Sequence, residues 1–308
     1  MADSGADETP NIALPQAFLD MPRWWSDGTG WLDDLPRSIV AQCAAWRLRI
    51  AGGVAHGSNA VVLPVTRGGE KFALRMTPPG PDVAAQIRAL RFWDGRSMVR
   101  LYDAEPSAGA MLLEWLPSGA TLRRVPLDDA MPVLGQMMRR LAVPAPDDVP
   151  STAAIVADRA GELEPDWDRM VEPFDRAILV AAFAAAGRLA ARDAALPGGD
   201  SGLAVDGDLH SDQVVRAVRE PWLAIDPVLL RGDIAYDLAR VLWTRIDEMA
   251  GAVDVVRHFE RVVREAGIDA DRARDAVVFR TVDYWLWALG AGLTDDPLRC
   301  ERLAAAFV

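Results

Sequence analysis

Two aspartates, Asp208 and Asp226, form the pattern in this sequence that could carry chemistry. They begin and end the segment DLHSDQVVRAVREPWLAID and stand 18 positions apart. The segment is typical of a loop, a strand at 213–217, a turn at 219–221 and a strand at 222–225. A tight β-hairpin brings its two ends to one edge, so we expect the two carboxylates to lie together. In phosphoryl transfer one carboxylate orients the attacking hydroxyl and another holds magnesium on the nucleotide phosphates. Asp208 fits the first role and Asp226 the second.

A structural explanation of the same residues competes with this one. Aspartates before turns commonly accept local hydrogen bonds from the backbone, and either residue alone would more often be structural. The hairpin, the spacing and the sequence that follows favour the functional interpretation together. Magnesium keeps several waters and prefers hard oxygen ligands, so one or two protein side chains suffice to bind it.

The first third of the chain is typical of strands separated by glycine-bearing turns, which predicts an antiparallel meander. Helical spacing then places Ala85, Ala89, Phe92 and Trp93 on one face of a helix over 81–95 that stops at Gly95. The strands are predicted at 46–53, 59–66, 70–76, 98–106 and 109–117.

After about residue 127 the chain is mostly helical, with one interruption at 207–227. We therefore predict an α+β fold of two lobes with a ligand cleft between them. A small β-rich lobe covers 1–116 with a disordered start, and a helical lobe covers 117–308, with a hinge near 114–119. Helices are predicted at 127–141, 151–163, 172–195, 234–248, 252–266 and 270–290.

Composition excludes several classes of protein. The formal net charge is −12, which gives no general attraction for nucleic acid. Such acidity suits a cationic small molecule, although it also serves solubility alone. No charge-free apolar run of about 18 residues appears, and the acidic start lacks the features of a signal peptide. We expect a cytoplasmic protein without a membrane span; the sequence indicates no oligomeric state.

The cysteines and histidines predict neither a disulfide framework nor a zinc site. Cys43 and Cys300 are far apart and show no CxxC spacing, and the three histidines form no ligand cluster. We expect His56 to be exposed to solvent and His210 to be a packed loop residue.

Three separated segments resemble the aminoglycoside and hydroxyurea phosphotransferase family. They are REPWLAIDPVLLRGDIAYDLARVLW (219–243), RALRFWDGRSMVRLYDAE (88–105) and AMLLEWLPSGATL (110–122). They occur in the family's order, and most of residues 30–295 can be followed in this way, so the resemblance implies a protein-kinase-like form of the α+β fold. The resemblance implies phosphorylation of a hydroxyl on a small polar or cationic molecule, such as an aminoglycoside-type antibiotic, with ATP or GTP and Mg²⁺.

The resemblance also assigns roles to individual positions. The turn at 52–59 would lie over the phosphates, the backbone of 114–116 would meet the adenine edge, and a late helix would line the acceptor pocket. Asp233 and Asp237 would be structural, with Asp237 anchoring the catalytic loop. The implied residues are catalytic Asp208; nucleotide-binding Gly52, Gly53, Ser58, Arg75, Gln86, Glu114 and Leu116; metal-binding Gln213 and Asp226; and acceptor-binding Asp283 and Trp287.

Four positions depart from the family pattern. Arg75 replaces a lysine, Gln86 a glutamate, Gln213 an asparagine and Asp206 a histidine. Arginine binds phosphate as a planar fork, and glutamine turns the usual ion pair into a hydrogen bond to a cation. Gln213 carries its amide one methylene further out, and a displacement of about 1 Å can cost about 100-fold in rate.

Two hypotheses follow. The retained carboxylates favour a working kinase with compensated geometry. The four departures favour a degenerate kinase fold without phosphotransfer that serves as a ligand-binding or accessory protein, for example in biosynthesis. Of the 11 tryptophans, which include Trp24, Trp25, Trp31 and Trp285, we expect most to pack surfaces and few to stack on a ligand.

Overall fold

The computed structural model describes residues 12–21, 29–117 and 119–308. Most of the expected disordered start, the pair Trp24 and Trp25, and one residue of the expected hinge lie outside the described residues. Among the helices in the described ranges, none has the length and apolar character needed to span a bilayer. By its contacts the chain divides into two compact units, 1–95 with 99–117 and 96–98 with 118–308.

The first unit contains an antiparallel sheet of six strands. The strands pair in the order β1–β3–β4–β6–β5, and β2 pairs with β3. Strand β3 buries every second side chain, those of Val61, Leu63 and Val65, as expected of a strand with one face turned to the core. The predicted antiparallel arrangement is confirmed. The strands are β1 Arg49–Ile50, β2 Ala55–His56, β3 Val61–Arg67, β4 Glu70–Met76, β5 Leu101–Glu105 and β6 Ala110–Glu114.

Helices α1 (Gln16–Leu19) and α2 (Gly30–Trp46) precede this sheet. Helix α2 shows that the expectation of strands throughout the first third was wrong. Trp46, placed in a predicted strand, ends α2, and Arg47 follows in the left-handed conformation. Apolar residues of α2 recur at three- and four-residue intervals and pack in one core with β3 and β4, so burial selects the helix.

Helix α3 (Pro81–Trp93) follows β4. The predicted face was partly wrong, because Ala85 is exposed while Val83, Ile87 and Leu90 are buried. Ala89 and Trp93 are buried as predicted, so the error concerns Ala85 and the larger side chains that share the buried face.

The second unit is mainly helical. One predicted helix, 234–248, is wrong: the chain forms two short 3₁₀ turns around a six-residue helix. Arg245 leaves the helical conformation because its buried guanidinium donates to the carbonyls of Leu122 and Val125 and to Glu248. The helices are α4 Leu127–Leu141, α5 Thr152–Arg169, α6 Arg176–Ala194, α7 Leu238–Trp243, α8 Ala252–Ala266, α9 Ala270–Gly290 and α10 Asp295–Phe307, the last of which was not predicted.

Two small antiparallel sheets support the 206–213 loop. Strand β7 (Leu203–Val205) pairs with β10 (Leu230–Gly232), and β8 (Val214–Arg216) pairs with β9 (Trp222–Ala224). The second pair confirms the predicted hairpin. Its first strand begins one residue later than expected, because Ser211–Gln213 forms a 3₁₀ turn.

Two buried carboxyl groups anchor this loop. Asp237 is 2% exposed, and the backbone N–H groups of Gly207 and Leu209 act to lower its pKa, so its carboxyl group lies beside the loop that it was predicted to anchor. Burial raises the pKa of Asp237 to about 7, against the lowering effect of nearby Arg280. Asp206, 1% exposed, accepts from the Asp208 N–H at 3.2 Å. Burial, and then the charge of Asp237, raise the pKa of Asp206 well above its usual range.

Close packing of α4 against α8 should make Gly135 intolerant of a side chain. A Cβ atom at Gly135 would lie 2.6 Å from the Val262 carbonyl oxygen, whereas one at Gly161 in α5 would meet nothing within 4 Å. We expect Gly135→Ala to lower the free energy of unfolding by about 1–3 kcal/mol. The control Gly161→Ala should raise it by about 0.5–1 kcal/mol. Urea unfolding measures both, and equal effects of the two changes would contradict this packing.

The buried acids should make stability depend on pH. A carboxyl group whose pKa is raised in the folded state contributes to stability when it is protonated in both states, below its ordinary pKa. This contribution is lost as pH rises through the folded-state pKa, which for Asp237 means between 3.8 and about 7. Asp206→Asn removes one of these acids. We therefore expect the free energy of unfolding of the variant to increase, relative to that of the wild type, as the pH is raised from 5 to 8. Urea unfolding at both values measures the difference, with exposed Asp168→Asn as the control. A stability difference for Asp206→Asn that does not change with pH would argue against the raised pKa.

Candidate active site

The carboxylate of Asp208 is held by two side chains. Gln213 Nε2 donates to Oδ2 at 2.9 Å, and Arg240 Nε donates to Oδ1 at 2.6 Å. The Asp208 side chain is 34% exposed. Because each carboxylate oxygen accepts more than one hydrogen bond, the group is oriented yet able to receive a hydroxyl. These are the requirements for a residue that positions an attacking hydroxyl.

The loop around Asp208 depends on Gly207. Gly207 has φ +81°, and a Cβ atom there would lie 2.9 Å from Leu230 Cδ1, so glycine meets both a conformational and a steric need. On the other side of Asp208, Leu209 is buried and anchors the chain. His210 is also buried, as expected of a packed loop residue, with Nε2 4.0 Å from Asp208 Oδ2.

The end of the β8–β9 hairpin joins this loop. The Ile225 N–H donates to the Gln213 carbonyl at 2.8 Å, and the Val228 N–H donates to the Asp206 carbonyl at 3.0 Å. Asp226 between them has φ +59°, a left-handed conformation that is uncommon for residues other than glycine. Backbone conformations of this kind concentrate at functional sites. The negative charges of Asp208 and Asp226 both contribute to the raised pKa of Asp206, after burial and Asp237.

Oxygen donors near this junction fit a magnesium ion. Gln213 Oε1 is buried and has no hydrogen-bond partner among the residues that the structure describes, although an unsatisfied buried acceptor costs about 1–3 kcal/mol. A hard cation would satisfy this oxygen, and the Asp226 carboxylate follows one residue after the backbone contact to Gln213. The described residues contain no group of three or more His, Cys, Asp or Glu side chains suited to a metal. Magnesium does not need one, since waters and phosphates complete its shell.

Arg75 and Gln86 form the predicted hydrogen bond between a cation and a neutral side chain. Arg75 lies on β4 and is 8% exposed; its Nη1 donates to Gln86 Oε1 on α3. Its Nη2 donates to Asn59 Oδ1 at 3.2 Å. The guanidinium is thus fixed from two sides within the first unit.

The other residues expected to bind nucleotide also lie in the first unit. Gly52, Gly53 and Ser58 are exposed, and a Cβ atom at Gly52 would approach Pro64 Cγ to 2.7 Å. His56, expected to be exposed, is half-buried with its ring centroid 5.5 Å from that of Phe18.

A backbone hydrogen bond limits which N–H groups of the predicted hinge can contact adenine. The Glu114 N–H donates to the Arg100 carbonyl at 2.9 Å, and Glu114 Oε2 accepts from the Arg100 N–H at 3.2 Å. A contact through the Glu114 N–H would break the first bond, so an N–H contact falls to the rest of 114–116, including half-buried Leu116.

The two residues expected to bind the acceptor lie on α9. Asp283 Oδ1 accepts from Arg159 Nε at 2.7 Å, so its charge is already balanced. Trp287 is 56% exposed and stacks on Tyr284 with ring centroids 5.3 Å apart. Trp285 is buried against Phe174, so this tryptophan has the packing role that we expected for most tryptophans of the chain.

Sequence reasoning missed Arg240 and Glu220. Arg240 follows Asp237 by three residues, a helical spacing that directs both side chains to one side of the chain and could have revealed it. Glu220 accepts hydrogen bonds from the backbone and hydroxyl of Ser97 at 3.3 Å and from Arg219 at 2.9 Å. The polar turn of the hairpin carried no signal for that contact.

Comparisons with known proteins show the family of this chain. The family model for aminoglycoside/hydroxyurea antibiotic resistance kinases matches residues 45–292. A streptomycin 6-kinase of Streptomyces griseus is 36% identical over 276 residues, 87% of each chain. A hydroxyurea phosphotransferase of Kitasatospora aureofaciens is 33% identical over 295 residues, covering 94% of this chain and 84% of the relative.

A solved structure extends the comparison to the fold. A thermostable mutant of aminoglycoside phosphotransferase APH(4)-Ia, in ternary complex with ADP and hygromycin B, aligns with a TM-score of 0.57 and 16% identity, covering 86% of this chain and 97% of that one. This likeness confirms the prediction of an α+β, kinase-like fold. Together with the family model and the relatives, it leads to one conclusion: this chain belongs to the aminoglycoside/hydroxyurea antibiotic resistance kinase family.

Proposed function

We propose that this protein transfers the terminal phosphoryl group of ATP to a hydroxyl of a small polar or cationic molecule, such as an aminoglycoside-type antibiotic. The observation that carries the proposal is the Asp208 carboxylate, held through both oxygens yet one-third exposed. Relatives over most of the chain bear the names streptomycin 6-kinase and hydroxyurea phosphotransferase. The proposal places the reaction in the cytoplasm, with no role for nucleic acid.

Asp208 has the central role. Its carboxylate accepts a hydrogen bond from the acceptor hydroxyl, orients the oxygen toward the phosphorus, and takes the proton as the new O–P bond forms. Asp226 and the buried Oε1 of Gln213 would hold Mg²⁺, which neutralises charge on the phosphates when bound. The long side chain of Gln213 has a second use, because its amide nitrogen also bonds Asp208.

The first unit is proposed to bind the nucleotide. The Arg75 guanidinium, which donates hydrogen bonds to Gln86 and Asn59, offers a planar fork to phosphate, and Gln86 fixes its orientation. Backbone N–H groups of the Gly52–Gly53 turn and Ser58 would approach the phosphates, and the backbone of 114–116 would meet the adenine edge.

The second unit is proposed to bind the acceptor. Exposed Trp287 would stack on an apolar ring face, as aromatic side chains do. Asp283 would recognise an amino group only in competition with Arg159. The net charge of −12 favours a cationic acceptor over an anionic one.

A degenerate fold without phosphotransfer is the competing hypothesis. The four departures from the family pattern motivated it, yet Arg75 and Gln86 form a bonded pair and Gln213 bonds the catalytic carboxylate. These contacts support compensated geometry and an active enzyme.

Replacing the catalytic carboxylate should abolish turnover. We expect Asp208→Asn to reduce kcat for phosphorylation of streptomycin by about 100-fold or more, since the amide cannot take the proton. The matched control is Asp212→Asn on the same loop, whose half-exposed side chain lies 3.7 Å from His210 Nδ1. Its kcat should stay within about threefold, because this carboxylate faces Asp208 only through His210, which takes no part in the proposed step. Transfer of ³²P from labelled ATP measures both, and an Asp208→Asn variant with wild-type kcat would refute the assigned role.

Nucleotide binding distinguishes the hypothesis of an active kinase from that of a degenerate kinase fold. With Mg²⁺ and millimolar ATP, we expect the melting temperature to rise by a few degrees, as linkage predicts for ATP at about ten times its Kd. Arg75→Met should remove most of this rise, whereas Arg67→Met on the neighbouring strand β3 should not. Thermal unfolding followed by tryptophan fluorescence provides the measurement. Absence of any rise in the wild type would favour a degenerate fold.

A further inference from the structure

We propose that Arg240 contacts the transferred phosphoryl group with its terminal guanidinium nitrogens while its Nε holds Asp208, an inference that rests on the proposed function. Arg240 would thus be a catalytic residue that stabilises charge in the transition state. It comes from helix α7 and not from the 206–213 loop.

The bonding of Arg240 leaves one end of its guanidinium available. Only Nε meets Asp208, at 2.6 Å. Within the described ranges, its two terminal nitrogens make no hydrogen bond to the protein. The side chain is 23% exposed. Five donors in a rigid fork, of which one is used, leave four directed elsewhere.

Neighbouring groups hold this guanidinium in place. Its central carbon lies 5.6 Å from the ring centroid of Trp243, one helical turn further along α7, within the range of a cation–π contact. Trp243 is itself fixed by stacking on Tyr284, with ring centroids 4.2 Å apart. The cation therefore has a packed aromatic support on one side and the Asp208 carboxylate on the other.

The distance to the chemistry follows from Asp208. A carboxylate that orients a hydroxyl lies about 3 Å from its oxygen. A guanidinium bonded to the same carboxylate therefore lies within about 6 Å of the reacting oxygen, where the transferred group must pass. Arginine matches phosphate oxygens with two parallel N–H donors, and its charge complements the charge that spreads over the equatorial oxygens.

Arg240 acts only as a hydrogen-bond donor in the transfer. The acceptor oxygen forms a bond to the γ-phosphorus, and the bond from that phosphorus to the β–γ bridging oxygen breaks. The electron pair leaves on ADP, and the hydroxyl proton passes to Asp208. Arg240 donates hydrogen bonds to the moving phosphoryl oxygens and exchanges no proton, since a guanidinium is a donor only.

A purely positioning role for Arg240 makes a different prediction, and one substitution separates the two. Arg240→Gln places an amide nitrogen at the chain position of Nε, so it retains a donor for Asp208 and removes the cation. Arg240→Met removes both. Arg216→Gln is the matched control, because the Arg216 guanidinium also lies over a tryptophan, 5.8 Å from the Trp222 centroid, and has no contact with Asp208.

Steady-state phosphorylation of streptomycin with Mg²⁺ and ATP tests the proposal. We expect Arg240→Gln to lower kcat by about 100-fold or more, since arginines at phosphoryl-transfer sites contribute factors of about 10³–10⁵. The KM for streptomycin should change less than threefold, and Arg216→Gln should resemble the wild type. Arg240→Gln with kcat within threefold of the wild type would overturn the proposal, even if Arg240→Met were inactive.

A binding experiment keeps the inference testable if the proposed function fails. Should the wild type phosphorylate neither streptomycin nor hydroxyurea, calorimetry of ADP and Mg²⁺ with and without aluminium fluoride, a phosphoryl mimic, replaces turnover. We expect fluoride to tighten wild-type binding of ADP and Arg240→Gln to lose at least tenfold of that gain, with binding of ADP alone unchanged. No gain in the wild type, or an equal gain in the variant, would overturn the role of Arg240. Thermal unfolding confirms that each variant is folded.

Discussion

The Asp237 carboxyl group is buried beside the backbone N–H groups of Gly207 and Leu209, the two residues that flank Asp208. Burial of a carboxyl group is unfavourable, which is why its pKa rises, and Arg280 and these N–H groups oppose the rise. Helix α7 begins directly after Asp237 and supplies Arg240, which bonds Asp208 Oδ1, while Gln213 of the 3₁₀ turn bonds Oδ2. The orientation of Asp208 therefore depends on the packing of α7 against the 206–213 loop, and Asp237 lies where the two meet.

The departures from the family pattern share a physical theme. Asp206 stands at a buried position where the family pattern has a histidine, accepts from the Asp208 N–H, and has its pKa raised by burial and then by the charge of Asp237. Gln213 uses its extra methylene to bond Asp208 while presenting a buried oxygen. Arg75 donates hydrogen bonds to Gln86 and Asn59. In each case a substituted side chain retains a defined contact, which supports an active site and not a degenerate one.

Sequence reasoning could reach the hairpin, the two aspartates and the Arg75–Gln86 pair, because each depends on local pattern or on a motif. It could not reach Arg240, whose meaning depends on the approach of α7 to a loop 32 residues earlier. The broken helix at 234–248 failed for a similar reason: apolar spacing continues through it, but Arg245 bonds carbonyls more than 100 residues away. Tertiary contacts, invisible in one sequence, decided these two cases. Helix α2 differs from them, because its apolar residues recur at three- and four-residue intervals that the sequence itself displays.

The most direct measurement is a crystal structure of the protein with ADP, Mg²⁺ and streptomycin. The account predicts a streptomycin hydroxyl within hydrogen-bond distance, about 2.6–3.2 Å, of an Asp208 carboxylate oxygen. It also predicts the metal bound to the Asp226 carboxylate and Gln213 Oε1 at about 2.1 Å. A hydroxyl bound away from Asp208, or a metal held by other residues with the Gln213 oxygen still buried and unpaired, would contradict it.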